Sequence, residues 1–415
     1  MKKLQHIIMI ALILLGLVTP ALAQEQTDNF NVSAKHAIAI EATTGKVLYE
    51  KDATTPDGVA SMTKILTAYM VYKAVDQGKI TWDTEVDISD YPFNLTVDSE
   101  VSNVPLDSRK YTVKQLLDAT LISSANSAAI ALAEKISGSE SAFVDTMTAQ
   151  LKEWGITDAK LFNASGLNNK YLGDNRYPGS KADDENTMSA LDVAIIADHL
   201  IKDYPQVLEI TKQTETDFEG NNKLTTHNYM LEGQDNYREG VDGLKTGTTE
   251  LAGASFVAHS NENGMSLITV VMNADNGGED EAARFTATNE LLDYVTQNWK
   301  IKTLNTKGQI VKKNDIKVAD GDSQTISAKL ESDLTVVQKI NSKNDAVKIK
   351  AKTITAPIKK DDTIGTATFD DKDLVGTGYI SDPPQISVTA NQSIKKSFFL
   401  KVWWNHIVNF FTGNK

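Results

Sequence analysis

Ser61 and Lys64 are the side chains whose types and spacing best suit nucleophilic chemistry. They stand in Gly58-Val59-Ala60-Ser61-Met62-Thr63-Lys64, which runs straight into the apolar, helically spaced segment from Ile65 to Tyr72. If Ser61 opens that helix, the two residues share a face one turn apart, and a hydroxyl comes within reach of an amine. A serine hydroxyl is a poor nucleophile until a base removes its proton, and a neutral lysine amine is such a base. The same segment also reads as an ordinary helix start, with the serine as cap and the lysine in solvent. Two more groups bear on the choice. Ser124 and Asn126 fall at a break between two helical stretches, and Lys245-Thr246-Gly247-Thr248 falls on a strand.

The elements that must position these residues can be read from periodicity. His36 to Ile40 and Lys46 to Tyr49 form a hairpin through Thr43-Thr44-Gly45. Helical spacing covers Thr112 to Ile122, Ala128 to Glu134 and Ser141 to Leu151, and returns at Met188 to Leu200 and Tyr204 to Ile210. Asn94 to Leu106 reads as loop. The glycine- and charge-rich stretch from Asn168 to Asn186 does too, and a loop of that length in a compact domain is more often functional or mobile than structural. Val241 to Thr249, Ala252 to Ala258 and Met265 to Met272 are strands, the last two apolar on both faces, and a helix from Ala282 to Trp299 follows. Strands at both ends with helices between them predict an α/β domain over 24–300 whose first and last parts pair in one sheet. From Ile301 to Ala390 short alternating runs separated by Asn, Asp and Gly turns predict a small β domain, a sandwich, with no catalytic cluster.

Composition narrows the function classes. The chain has 415 residues, a net charge of -13 and no cysteine. The acidic balance and the scattered arginines (Arg109, Arg176, Arg238, Arg284) argue against nucleic acid as a partner. The histidines are dispersed and no H-E-x-x-H occurs, so neither a metal nor another cofactor is expected. Residues 1–23 have a basic start, an apolar run and a small-x-small ending at Ala23, which predicts a signal peptide and export. An exported chain without cysteine must rely on core packing. Residues 394–415 place Phe399, Trp403, Ile407 and Phe410 on one helical face and Lys401, Asn405 and Asn409 on another. The polar residues recur too often for a spanning helix, so an amphipathic helix lying on a membrane surface is expected.

Taken in order, Ser61-x-x-Lys64, Ser124-x-Asn126 and Lys245-Thr246-Gly247 resemble the motif set of serine penicillin-binding proteins and serine β-lactamases. With Phe162-x-Asn163-x-x-Gly166-Leu167 and Asp242-Gly243-Leu244 added, the chain resembles the low-molecular-mass D-alanyl-D-alanine carboxypeptidases over nearly its whole length. One departure is Ala125, where many relatives carry glycine; a small side chain suffices there. The resemblance implies a penicillin-binding-protein-like transpeptidase fold, with a central antiparallel sheet and a helical subdomain, followed by the β domain. It implies Ser61 as nucleophile toward stem peptides of peptidoglycan ending in D-Ala-D-Ala, and β-lactam antibiotics as acylating ligands. Lys64 is then the base, buried and neutral, its pKa depressed by burial and by Lys245. Ser124 would relay a proton to the leaving amine, and Asn126 would hold Lys64 or the substrate amide. Lys245, Thr246, Gly247 and Thr248 would meet the substrate's terminal carboxylate. The backbone N–H groups of Ser61 and Thr248 would form the oxyanion hole. Export and the terminal helix together imply a protein at the outer face of the cytoplasmic membrane.

Three other readings fit parts of the pattern. A class A β-lactamase would need an added glutamate on a loop between the second and third motifs, and that interval holds no obvious match. A catalytically silent cell-wall peptide-binding protein would have no use for Ser61, Lys64 and Lys245 together. A transpeptidase differs only in whether an amine or water receives the acyl group, which motifs do not decide.

Overall fold

The structure is a computed structural model and describes residues 29–398 apart from 98–99, 220–221, 312–314 and 352. The signal peptide expected over 1–23 and most of the helix expected over 394–415 lie outside the described residues. A five-stranded antiparallel sheet forms the centre. Its strands are β1 (Ala34–Glu41), β2 (Lys46–Lys51), β3 (Val241–Thr249), β4 (Gly253–Glu262) and β5 (Met265–Ala274), in the order β2-β1-β5-β4-β3. The hairpin from the start of the chain thus pairs with the last strand of the domain, Ile38 opposite Val270 and Ile40 opposite Ile268.

Alternate residues of each strand point to opposite faces. Ile38, Ile40, Ile268, Val270 and Met272 join one large core with the helices α1 (Thr63–Asp76), α3 (Val113–Leu121), α4 (Asn126–Ser137), α5 (Glu140–Glu153) and α6 (Ala190–Asp203). A shorter helix, α2, spans Asp90–Leu95. On the other face Phe256 meets Phe285 of α7 (Ala283–Asn298), ring centroids 5.3 Å apart. Each fully buried aliphatic or phenyl side chain of this kind contributes about 1.5–3 kcal/mol. A β-rich sheet covered on both faces explains why its strands read as continuous apolar runs.

The helical segments differ from expectation at their starts. Ser61 lies in a 3-10 turn, Ala60–Met62, and α1 begins only at Thr63. The fourth helix begins at Asn126, two residues earlier than periodicity suggests. Its N-cap Ala125 offers no capping side chain, and the Asn126 N–H is instead satisfied by the Ser102 carbonyl at 3.0 Å. The last two residues of α2, Asn94 and Leu95, reach into the stretch read as loop, and the polar hairpin Glu215–Phe218 with Asn222–Thr225 has no counterpart in the sequence reading.

The β region starts with Trp299–Asn305, paired with Leu334–Lys339, and continues in small sheets around a core of Ile316, Val318, Ile326, Leu330, Leu334, Ala367 and Val388 among others. It runs past residue 390. Ile394 exchanges hydrogen bonds with Ile358 and Lys396 bridges to Gly321, so the first residues of the segment read as a helix are extended and paired. The free edge of β2 is covered by this region, Val47 N–H donating to Gly378 and Ile380 N–H to Gly45. The buried Lys46 ammonium reaches Asp371 at 2.7 Å and the Val337 carbonyl at 2.8 Å across the same junction. Breaking a buried pair of this kind from one side costs about 3–5 kcal/mol.

Candidate active site

The 3-10 turn that carries Ser61, running on into the first turn of α1 with Lys64, sets the central contact. Lys64 Nζ stands 2.9 Å from Ser61 Oγ, 2.7 Å from Asn126 Oδ1 and 2.7 Å from the Ser165 carbonyl oxygen. The Asn126 and Ser165 oxygens can only accept, so they take two of the N–H groups. In the neutral amine the remaining position is a lone pair, and it faces the Ser61 hydroxyl. The orientation of the Asn126 amide is fixed from behind, because its Nδ2 donates to the Ser102 carbonyl at 2.9 Å. Lys64 is 0% exposed. Burial, and then the charge of Lys245, hold its pKa well below the ordinary lysine value.

The Ser165 carbonyl is held in place by a frame of buried amides. Asn163 Oδ1 accepts from the Ser165 and Gly166 N–H groups, and Asn186 Oδ1 from those of Phe162 and Asn163. Asn186 Nδ2 donates to the Asn163 carbonyl and to Thr63 Oγ1, and Thr67 Oγ1 donates to the Ala164 carbonyl at 2.6 Å, so the frame is tied to α1 at two points. Gly166 has φ +82°, and a Cβ there would lie 1.8 Å from the Ala60 carbonyl oxygen. Only glycine fits a left-handed position pressed against the turn that carries Ser61.

The opposite wall is β3, the sheet edge that packs on the same turn. A Cβ on Gly247 would come within 2.7 Å of the Val59 carbonyl oxygen, so the glycine lets the strand approach. Lys245 is buried and donates to the Thr246 carbonyl; burial and then the Arg284 guanidinium bring its pKa down to about 7. Thr248 is exposed to the cleft, and its Oγ1 accepts from Arg284 Nη2 at 2.8 Å. Arg284, buried at the start of α7, also donates to the Gly247 and Ser255 carbonyls. Thr248 Oγ1 is thereby left with its own proton to offer to an anion.

Ser61, Asn126, Gly166, Lys170, Glu185 and Thr248 line one cleft. Within it the structure brings Ser61, Lys64 and Asn126 into direct contact. Ser124 has φ +57° and is buried beside Asn126, and its hydroxyl has no hydrogen-bond partner among the described residues. Sequence reasoning missed Ser165, which acts through its backbone, and Arg284, which belongs to no motif. It also missed Glu185, which accepts from Thr249 Oγ1 at 2.6 Å and from Asn168 Nδ2 at 2.8 Å and so links the end of β3 to the loop opposite. Its burial among two polar partners is a product of the fold, with no trace in local pattern.

A family profile for D-alanyl-D-alanine carboxypeptidases matches residues 22–276, and one for the C-terminal domain of penicillin-binding protein 5 matches residues 299–396. The chain is 30% identical over 410 residues to D-alanyl-D-alanine carboxypeptidase DacF of Bacillus subtilis (strain 168), covering 96% of each. Among solved structures, a peptidoglycan synthesis regulatory factor (PBP3) from Streptococcus pneumoniae matches with a TM-score of 0.80 and 51% identity, covering 88% of this chain and 100% of that one. Penicillin-binding protein D2 from Listeria monocytogenes, solved with ampicillin bound, matches at 28% identity and a TM-score of 0.53 over 64% of this chain and 98% of that one. These matches fall on the family that the motifs resemble and extend through the β region.

Proposed function

Since the chain belongs to the D-alanyl-D-alanine carboxypeptidase family, we propose that its serine-type hydrolysis runs through Ser61, with Lys64 as the base. The observation that carries this is the buried Lys64 amine, with two N–H groups spoken for by carbonyl oxygens and its third position on Ser61 Oγ. Ser61 Oγ attacks the carbonyl of the penultimate D-alanine and its proton passes to Lys64, a role worth about 10²–10⁴-fold in rate. The oxyanion is met by the Ser61 and Thr248 N–H groups, each such donor contributing about 10²–10³-fold. The C–N bond then breaks and the leaving amine takes the proton from Lys64, directly or through the uncommitted Ser124 hydroxyl. Lys245, Thr246 and Thr248 hold the departing carboxylate, with Gly247 keeping the strand close and Arg284 supporting Thr248. Water, activated by the same amine, releases the shortened peptide.

The test uses a peptide ending in D-Ala-D-Ala, alone and with an amino acceptor, and a fluorescent penicillin. The expected result is release of one D-alanine without cross-linked product, and labelling that disappears in Ser61→Ala. Rapid turnover of the penicillin with no release of D-alanine would count against the assignment.

The two ends of the chain support a location. Residues 1–23 have the features of a cleaved export signal, and the aromatic and lysine faces of 399–415 suit a helix resting on the outer surface of the cytoplasmic membrane. Among the described residues no helix is long and apolar enough to span a membrane. Deleting 399–415, which spares the paired residues Ile394 and Lys396, is expected to move the protein into the soluble fraction with D-alanine release from short peptides intact. Retained sedimentation with membranes would overturn the anchor.

A further inference from the structure

Behind the Ser61–Lys64 pair lies a buried carboxyl that hydrogen-bonds to neither of them. Glu140 is the first residue of α5, after the N-cap Ser139, and is 6% exposed. Its Oε1 accepts from the Ala164 N–H at 2.9 Å and its Oε2 from the Tyr91 hydroxyl at 2.8 Å. The two donors belong to different segments of the chain. Ala164 is in the segment whose next residue offers its carbonyl to Lys64. Tyr91 is in α2, whose Leu95 carbonyl accepts from Asn103 Nδ2. Asn103 Oδ1 in turn accepts from the Ser127 N–H and hydroxyl, and the neighbouring Ser102 carbonyl holds the Asn126 amide. Each acceptor of the Lys64 amine therefore leads back to one oxygen of the same carboxyl, Ser165 through one residue and Asn126 through α2 and the 102–103 loop.

We propose that Glu140 is a positioning residue for the Ser61–Lys64 pair: its carboxylate braces the 163–166 segment and α2 together, so that the Lys64 lone pair stays aimed at the Ser61 hydroxyl. This rests on the assignment of Ser61 as nucleophile and Lys64 as base. The ionised form accepts from both donors in charge-assisted hydrogen bonds, which are roughly twice as strong as neutral ones; protonation leaves one oxygen accepting from Ala164 and makes the other a donor to the Tyr91 oxygen, so that both braces remain but are weaker. Burial pushes Glu140 up to about 7, against the pull of the Ala164 N–H and the Tyr91 hydroxyl, while Glu134 pushes the same way as burial. Tyr91 from α2 and Glu134 from α4 are the titratable groups facing it, and the 163–166 segment brings only the Ala164 amide. The partial positive charge at the start of α5 favours the ionised form. Bracing is thus complete above neutral pH and weakens as pH falls through about 7.

The experiment compares the full chain with Glu140→Ala and Glu140→Gln in the rate constant for acylation by a fluorescent penicillin from about pH 5 to about pH 9, in kcat and KM for D-alanine release, and in Tm. Glutamine accepts from Ala164 and donates to the Tyr91 oxygen, so it holds both braces in their weaker, uncharged form at every pH. The alanine variant is expected to acylate about 10- to 100-fold more slowly with KM nearly unchanged. The glutamine variant is expected to recover most of that loss and to lack the part of the acid limb that Glu140 contributes. Acylation rates and pH profiles matching the parent in both variants, whatever their Tm, would overturn the proposal; if the alanine variant fails to fold, a glutamine profile that superimposes on the parent does so alone. Labelling that persists in Ser61→Ala would instead remove the premise, which separates failure of the nucleophile assignment from failure of this inference.

Discussion

Replacing Lys64 by methionine is expected to slow acylation of Ser61 by about 10²–10⁴-fold, and replacing it by arginine is expected to do the same. The first change removes the only amine within hydrogen-bond distance of the serine among the described residues. It also strips donors from Asn126 Oδ1 and the Ser165 carbonyl, which costs about 1–3 kcal/mol for each acceptor left unpaired. The second change is the sharper one. A guanidinium has donors enough for both acceptors, but it stays protonated at every working pH and cannot take the Ser61 proton. If Lys64 merely organised the site as a cation, arginine would retain much of the rate. Burial and the nearby Lys245 charge point the other way, toward an amine that is neutral in a useful fraction of molecules. Rate constants for penicillin labelling and for D-alanine release, measured with Tm as a control, decide between a base and an organising cation. An arginine variant within tenfold of the parent would rule out the base.

The parts of this site that were legible in the sequence are those where a side chain does the work on a short, regular element. Ser61 and Lys64 could be paired because one helical turn fixes their separation, and Asn126 could be placed opposite because the break before α4 has to turn the chain. The sheet was legible because its strands are buried on both faces and read as apolar runs. What was illegible has physical causes of its own. The Ser165 carbonyl leaves no mark in the sequence, since every residue carries a backbone carbonyl and only the fold decides which one faces Lys64. Arg284 reaches Thr248 only because α7 starts beside the β3 edge, a placement set by packing more than thirty residues away in sequence. The fourth helix starts at Asn126 on a tertiary hydrogen bond from the 102–103 loop, so no capping residue marks it. At the far end, the lysine and aromatic spacing that suggests a helix from 394 is overridden for Ile394 and Lys396 by pairing partners that local pattern cannot reveal.

Above neutral pH, affinity for a substrate's terminal carboxylate is expected to fall as pH rises, and the dependence is expected to vanish in Lys245→Met. Lys245 in the free protein titrates at about 7, brought down by burial and by Arg284. Below that pH it is already charged and carboxylate binding takes up no proton at this site. Above it the lysine is neutral, and an arriving carboxylate favours the charged form, so binding must be accompanied by proton uptake. Linkage then weakens binding by up to about tenfold per pH unit, until the pH reaches the raised pKa of the bound state. A peptide ending in a D-alanine carboxamide has no charge to recruit the proton and should show little of this slope. The methionine variant should raise KM by about 10- to 100-fold, as expected for losing a charged hydrogen bond worth about 1.5–3 kcal/mol. It carries a second signature on the other side of the cleft. The Lys245 charge is one of the two causes that hold Lys64 down, so removing it lets the Lys64 pKa rise. The acid limb of Ser61 acylation should therefore move to higher pH in the same variant that loses the alkaline fall in carboxylate affinity. A variant that changes KM while leaving the acid limb in place would mean that the two lysines do not sense each other across the cleft.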